Sequence, residues 1–338
     1  MTLATIGLWI AAAPPTPNPV EATRGGGLER FIYTLGLGIT QGAIYALVAL
    51  GFVLVFKATQ TVNFAQGAMA LVTAWFFSMV LVDWRIPGRW LGDNEYVVWF
   101  SALVVGLLVA IAIGLVIERL IIRPMIGEPL FSIAVITLGL EAALRTVGTD
   151  ALLNTRQLNV PWGRDSFEVG GATIYWSWIF TAIAAAVAFV GVFLFFRTRT
   201  GVAMRAVAFD QEAALAQGIS VGRVFAIAWG AGTALALVAA LCFSMSPPSG
   251  SGVVAAGIGG LALRALPAVI LGGLDSVQGA LAGGLTIGLA EIFAGSYLSE
   301  YSRTLGTGYA LVVPYVVMLL VLLVRPYGLF GTPEIRRV

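Results

Sequence analysis

Two short stretches hold the side chains best placed for polar chemistry. The first, QTVNFAQGAMA over residues 60–70, sets Asn63 and Gln66 three apart with Gly67 next. The second, GGLDSVQGALAGG over residues 272–284, sets Asp275 and Gln278 at the same spacing, followed by Gly279. Each copy joins two short apolar runs. Amides and a glycine in that setting do not suit acid–base or nucleophilic catalysis; they suit hydrogen bonding. A broken helix frees backbone N–H and C=O groups, which in hydrocarbon must find partners, and Asn, Gln or Asp can supply them. The same groups can touch a polar solute in passage, and interrupted segments recurring in two parts of a chain point to a transporter path. The plainer alternative is two connections between spans, with Gly67 and Gly279 allowing close helix packing.

Other chemistry is excluded by composition. The chain has no histidine, so no Ser-His or Cys-His nucleophile pair exists. A single cysteine gives neither an internal disulfide nor a Cys/His zinc cluster. The one lysine, Lys57, follows GFVLVF and has no GxxxxGK[ST] loop, so the chain does not hydrolyse ATP by that route. A net charge of +2 does not suggest nucleic acid.

The elements that must carry these residues lie in a membrane. Of 338 residues, 59% are hydrophobic and 11% charged, against about a quarter charged in soluble domains. Nine apolar segments are expected, over residues 31–56, 67–82, 96–117, 130–149, 174–196, 224–244, 257–272, 278–295 and 309–324. The expected fold is an all-α polytopic bundle of eight to nine membrane helices with Gly-broken half-helices. Residues 1–29 read as an extension and 30–338 as one transmembrane domain. The opening apolar run, Leu3–Ala13, is too short to span and lacks the basic start of a signal peptide.

Arginine sets the orientation. Arg197, Arg199, Arg205 and Arg223 crowd one loop, Arg119 and Arg123 another, and Arg325, Arg336 and Arg337 the tail. The positive-inside rule puts these in the cytoplasm and the loops at 83–95 and 150–173 outside. In the loop at 197–223, Asp210 is an N-cap for a helix over 211–217, and Gly218 a natural C′ residue. Read alone, this is a solvated loop whose arginines fix topology.

Ionisable groups within spans are functional candidates. Glu141 and Arg145 lie four apart, near the outer end of their span, where mutual pairing accounts for them. Glu118 and Arg119 border the cytoplasm. Arg264, beside Pro267, is open to two readings: neutralising a solute carboxylate, or pairing with Glu291. Trp84, Trp90, Trp99, Trp162, Trp176 and Trp178 read as anchors at the outer interface.

The run TQGAIYALVALGFVLVFKATQTVNFAQGAMALV resembles the opening of the branched-chain amino acid permeases of bacterial ABC importers. That family shows Gly-x-x-Tyr-Ala-Leu, then Asn-Phe-Ala-His-Gly. ILGGLDSVQGALAGGLTIGLAE, residues 270–291, resembles its second signature. The similarity runs from about Phe31 to Val338, and Gln66 replaces the usual histidine. The resemblance implies a path at Asn63, Gln66, Gly67, Asp275, Gln278, Gly279 and Arg264. It also implies ATPase coupling through Arg205, Asp210, Ala213, Ala214, Gly218 and Ile219. The implied partners are a second homologous permease, two ATPase chains carrying the ATP and magnesium, an extracytoplasmic solute-binding protein and inner-membrane lipid. The chain itself would hold no cofactor and catalyse nothing. A stand-alone ion-coupled carrier, with Glu141 or Glu291 essential, is the competing class.

Overall fold

The computed structural model describes residues 27–331 apart from 93, 152–154, 159, 163–164, 247–251, 254, 302–303, 305 and 307. The signal-like start and the tail arginines Arg336 and Arg337 lie outside the described residues.

Helix α1, Gly27–Thr59, is the axis of the bundle and is mostly buried. At about 1.5 Å per residue it is near 50 Å long, more than the roughly 30 Å hydrocarbon core. After a short irregular stretch, α2 covers Gln66–Ser78 and continues as a π-helical turn, Met79–Trp84. Then come α3 (Glu95–Ile117), α4 (Leu130–Ala151) and α5 (Trp176–Arg197). Two short helices follow, α6 (Arg199–Phe209) and α7 (Gln211–Ala216). Next are α8 (Val221–Met245), α9 (Leu261–Gly272), α10 (Val277–Tyr297) and α11 (Tyr309–Val324).

Among the described residues seven helices are long and apolar enough to cross a membrane, and two shorter apolar helices lie at Gly257–Gly272 and Tyr309–Val324. All nine expected segments therefore exist as helices, displaced at their ends by a few residues. The helix over 261–272 runs through Pro267.

Glycine decides how the central helices meet. On α10, Gly279 and Gly283 face α9: a Cβ on either would run into the backbone of Gly272 or Ala268. Five residues on from each, Gly284 and Gly288 face α1, where a Cβ would strike Ala46 or Gly42. One helix thus carries two small-xxx-small pairs on two faces, each letting backbones approach where lipid offers no hydrophobic drive. Buried polar groups lock the same contact: Tyr45 on α1 donates to Glu291 on α10 at 2.6 Å, and the Thr34 and Ser296 hydroxyls lie 3.1 Å apart.

At the end bearing the 83–95 and 150–173 segments, two small antiparallel pairs form a cap. β1 (Arg156–Gln157) pairs with β4 (Gly252–Val253), and β2 (Ser166–Val169) with β3 (Ala172–Tyr175). Arg156 is ion-paired with Asp83 there. The tryptophans divide in two. Trp84, Trp90 and Trp176 are exposed, as interfacial anchors are, but Trp99 and Trp178 are 1% and 4% exposed. The Trp99 ring is walled by Phe77, Phe100, Trp162 and Phe180, and Trp178 lies on Tyr33 and Gly36. These two are core of the outer cap, because aromatic neighbours offer them more contact than the interface does.

Candidate functional site

The helix break after α1 starts at exposed Gln60 and ends at Gln66 inside the bundle. Asn63 and Gln66 are each 1% exposed. Asn63 accepts from the Ala65 N–H at 3.1 Å and donates to Gln66 Oε1 at 3.1 Å. Gln66 Nε2 donates to the Gly232 carbonyl at 3.1 Å. Gly232 is 11 residues past Val221 and 13 before Met245 (232 − 221 and 245 − 232), the two ends of α8. At about 1.5 Å per residue, the amide reaches α8 near its midpoint. Gly51 on α1 makes the slot for this side chain, since a Cβ there would overlap the Gln66 amide. Thr137 on α4 holds the break from the other side, accepting from the Phe64 N–H at 3.3 Å. The N–H groups of Phe64, Ala65 and Gln66, freed by the break, are thereby paired, as membrane depth demands.

Gly67 sits against the start of the α9 region: a Cβ on it would lie 3.0 Å from the Gly259 carbonyl and from Ala262. Arg145 on α4 reaches the same place, donating from Nη2 to the Gly259 carbonyl at 2.7 Å and pairing with Glu141. The expected Glu141–Arg145 pair forms, but its guanidinium lies at the level of the break rather than at the outer end of the span. A long side chain on a helix leans toward the N-terminus, here inward.

The second copy of the motif has different surroundings. Asp275 lies in the turn between α9 and α10, Gln278 is exposed, and Ser276 caps α10 by accepting from the Gly279 N–H at 3.0 Å. Gln66 and Gln278 are not brought together. Asp275 instead joins Lys57, Arg205, Phe209 and Tyr327 around a cavity of about 500 Å³. The Lys57 ammonium is within electrostatic range of Asp275 and Arg205. This cavity puts the end of α1, the α9–α10 turn, α6 and the segment after α11 at one arginine-rich end. Arg264 is partly exposed and within electrostatic range of Tyr45 and Glu291, but the direct partner of Glu291 is Tyr45.

The loop between α5 and α8 follows its sequence signals closely. Asp210 accepts from the Ala213 N–H at 2.9 Å and starts α7. Gly218, at φ +78°, ends it, with the Ile219 N–H returning to the Ala214 carbonyl at 3.0 Å. Ala214 is buried, whereas Phe209 and Leu215 are 93% and 53% exposed. Arg205 caps the end of α5 through the Phe196 carbonyl at 2.7 Å. At Gly201 a Cβ would collide with the backbone of Phe195 and Phe196, so only glycine permits this tight turn.

One contact was not foreseen. Glu118, expected at the cytoplasmic border, is 1% exposed and gripped by Arg123 through two hydrogen bonds of 3.0 and 3.1 Å. Arg123 also donates to the Gly222 carbonyl at 3.2 Å, tying the end of α3 to the start of α8. The π-helical turn Glu118–Ile122 brings together residues five apart, a spacing that α-helical periodicity does not pair. Thr137, Gly51 and Gly232 carried no motif signal of their own. Tyr45 did, inside Gly-x-x-Tyr-Ala-Leu.

An all-helical polytopic bundle with an amide-lined break at mid-depth and an exposed helical hook at its arginine-rich end is a membrane permease. The family model described as branched-chain amino acid transport system / permease component matches residues 34–322, and the chain belongs to that family. It is 30% identical to the high-affinity branched-chain amino acid transport system permease protein LivH of Salmonella typhimurium over 320 residues, 92% of this chain and 99% of that protein. The corresponding permease protein BraD of Pseudomonas aeruginosa is 31% identical over 320 residues, with the same 92% and 99% coverage. A probable branched-chain amino acid transport permease protein LivH of Methanocaldococcus jannaschii is 29% identical over 310 residues, 87% of this chain and 92% of that protein. No solved structure matches the chain significantly.

Proposed function

We propose that this chain is a permease subunit of a bacterial ABC importer, moving branched-chain or related small amino acids and amides across the inner membrane by ATP-driven alternating access. The observation that carries this reading is the hook formed by α6 and α7. A solvated loop would not hold Phe209 at 93% exposure on a helix fixed by Thr198, Arg205, Asp210 and Gly218. Exposed apolar side chains on a rigid element suit a protein partner. The partner we infer is a cytoplasmic ATPase, with Arg205, Asp210, Ala213, Ala214, Gly218 and Ile219 shaping the docking element. ATP and magnesium would reside on two such chains, with a second homologous permease completing the path and an extracytoplasmic binding protein supplying solute.

The proposed path passes Asn63, Gln66 and Gly67 at mid-depth and leaves by Arg264, Asp275, Gln278 and Gly279. Closure of the ATPases would move α6, and α6 shares its cavity with the end of α1 and the α9–α10 turn. Movement at the hook therefore has a short packed route to both interrupted segments.

Purification in mild detergent tests the reading. ATPase chains should come with this subunit, and Phe209→Asp with Leu215→Asp should release them. A chain that transports alone would favour the ion-coupled carrier, for which the buried Glu291 is the natural ion-binding group.

A further inference from the structure

Charged side chains at membrane depth are costly unless they face protein or water. The guanidinium of Arg145 is at that depth by a chain of contacts. It donates to the Gly259 carbonyl, which borders Gly67, the neighbour of Gln66, whose amide reaches the middle of α8. Yet the Arg145 and Glu141 side chains remain 37% and 22% exposed. Lipid cannot satisfy them, so water or another chain must border this face of α4.

The pair also has spare capacity. A guanidinium carries five N–H donors. Nε and Nη2 of Arg145 are engaged by Glu141 and Gly259, while Nη1 has no acceptor among the described residues.

We propose that Arg145 and Glu141 form the head-group site of the transported solute: the carboxylate of a zwitterion binds Arg145 through Nη1, and its ammonium binds the Glu141 carboxylate. This rests on the transport reading above and names residues for its substrate. The arrangement balances charge, because an internal ion pair opens to two pairs with a zwitterion and no net charge enters the membrane interior. An anion lacking the ammonium, or an amine lacking the carboxylate, would leave one member of the pair uncompensated.

The test uses the complete assembly in lipid vesicles. In a Cys242→Ala background, Arg145→Cys should react with a charged, membrane-impermeant thiol reagent, and leucine delivered by the binding protein should slow that reaction. Arg145→Gln and Glu141→Gln should assemble at normal yield but take up leucine about tenfold to a hundredfold more slowly, the loss expected for a charge-assisted contact. Arg145→Lys should recover part of the rate. No reaction at residue 145, or normal uptake by Arg145→Gln, would overturn the assignment. If the unaltered assembly fails to transport leucine, the transport reading fails instead; the reactivity of residue 145 still reports whether this face meets water.

Discussion

Gln66 on the interrupted segment donates its amide to the carbonyl of Gly232 at 3.1 Å, near the midpoint of α8. The contact has three requirements: a long amide at 66, no side chain at 51, and an accepting carbonyl on α8. Shortening Gln66 to alanine leaves Asn63 and the break without their link to α8. Gln66→Ala should lower stability by about 1–3 kcal/mol, the cost of a buried polar group losing its partner. It should also slow uptake. Thermal unfolding in detergent reads the first effect and vesicle uptake the second.

Gly51→Ala should be as damaging as Gln66→Ala, since its Cβ enters the space of the Gln66 amide. The double variant Gly51→Ala with Gln66→Ala should be less than additive, by about 0.5 kcal/mol or more, because the two share one contact. Strict additivity in a double-mutant cycle would show that the slot is not what holds the amide.

The glycines of α10 give a sharper contrast. Gly284→Val should cost about 3 kcal/mol or prevent folding, since overpacking here meets the backbone of Ala46. Gly191→Ala, on α5 with no atom within 4 Å of the added carbon, should be neutral within about 0.5 kcal/mol. Expression yield and melting temperature distinguish the two.

Glu118→Gln should destabilise by about 2 kcal/mol, discounted from a fully buried pair because the Arg123 side chain is 35% exposed. Loosening should appear first where α3 meets α8, as faster hydrogen exchange around Gly222.

These residues also show what sequence reveals. The nine apolar segments were legible because length and composition alone define a membrane helix. The hook was legible residue by residue, because Asp210 and Gly218 act through local backbone chemistry. The break was legible as an interruption, but its depth was not. Only the three-dimensional meeting of Gln66 with Gly232 places it halfway across. Sequence similarity of the two motif copies likewise hid their difference, with Gln66 enclosed and Gln278 exposed. The grip of Arg123 on Glu118 was missed because a π-turn pairs residues that helical periodicity keeps apart. Trp99 and Trp178 were misread because an aromatic cap and an interfacial belt share one composition.

In the proposed function the hook drives the interrupted segments. Its most direct test is ATP-dependent leucine uptake by vesicles holding the full assembly, with Asp210→Arg and Gly218→Val combined in this chain. Loss of the N-cap and of the left-handed C′ glycine should abolish uptake while the assembly continues to hydrolyse ATP. Uptake at the normal rate, still tied to hydrolysis, would contradict the claim.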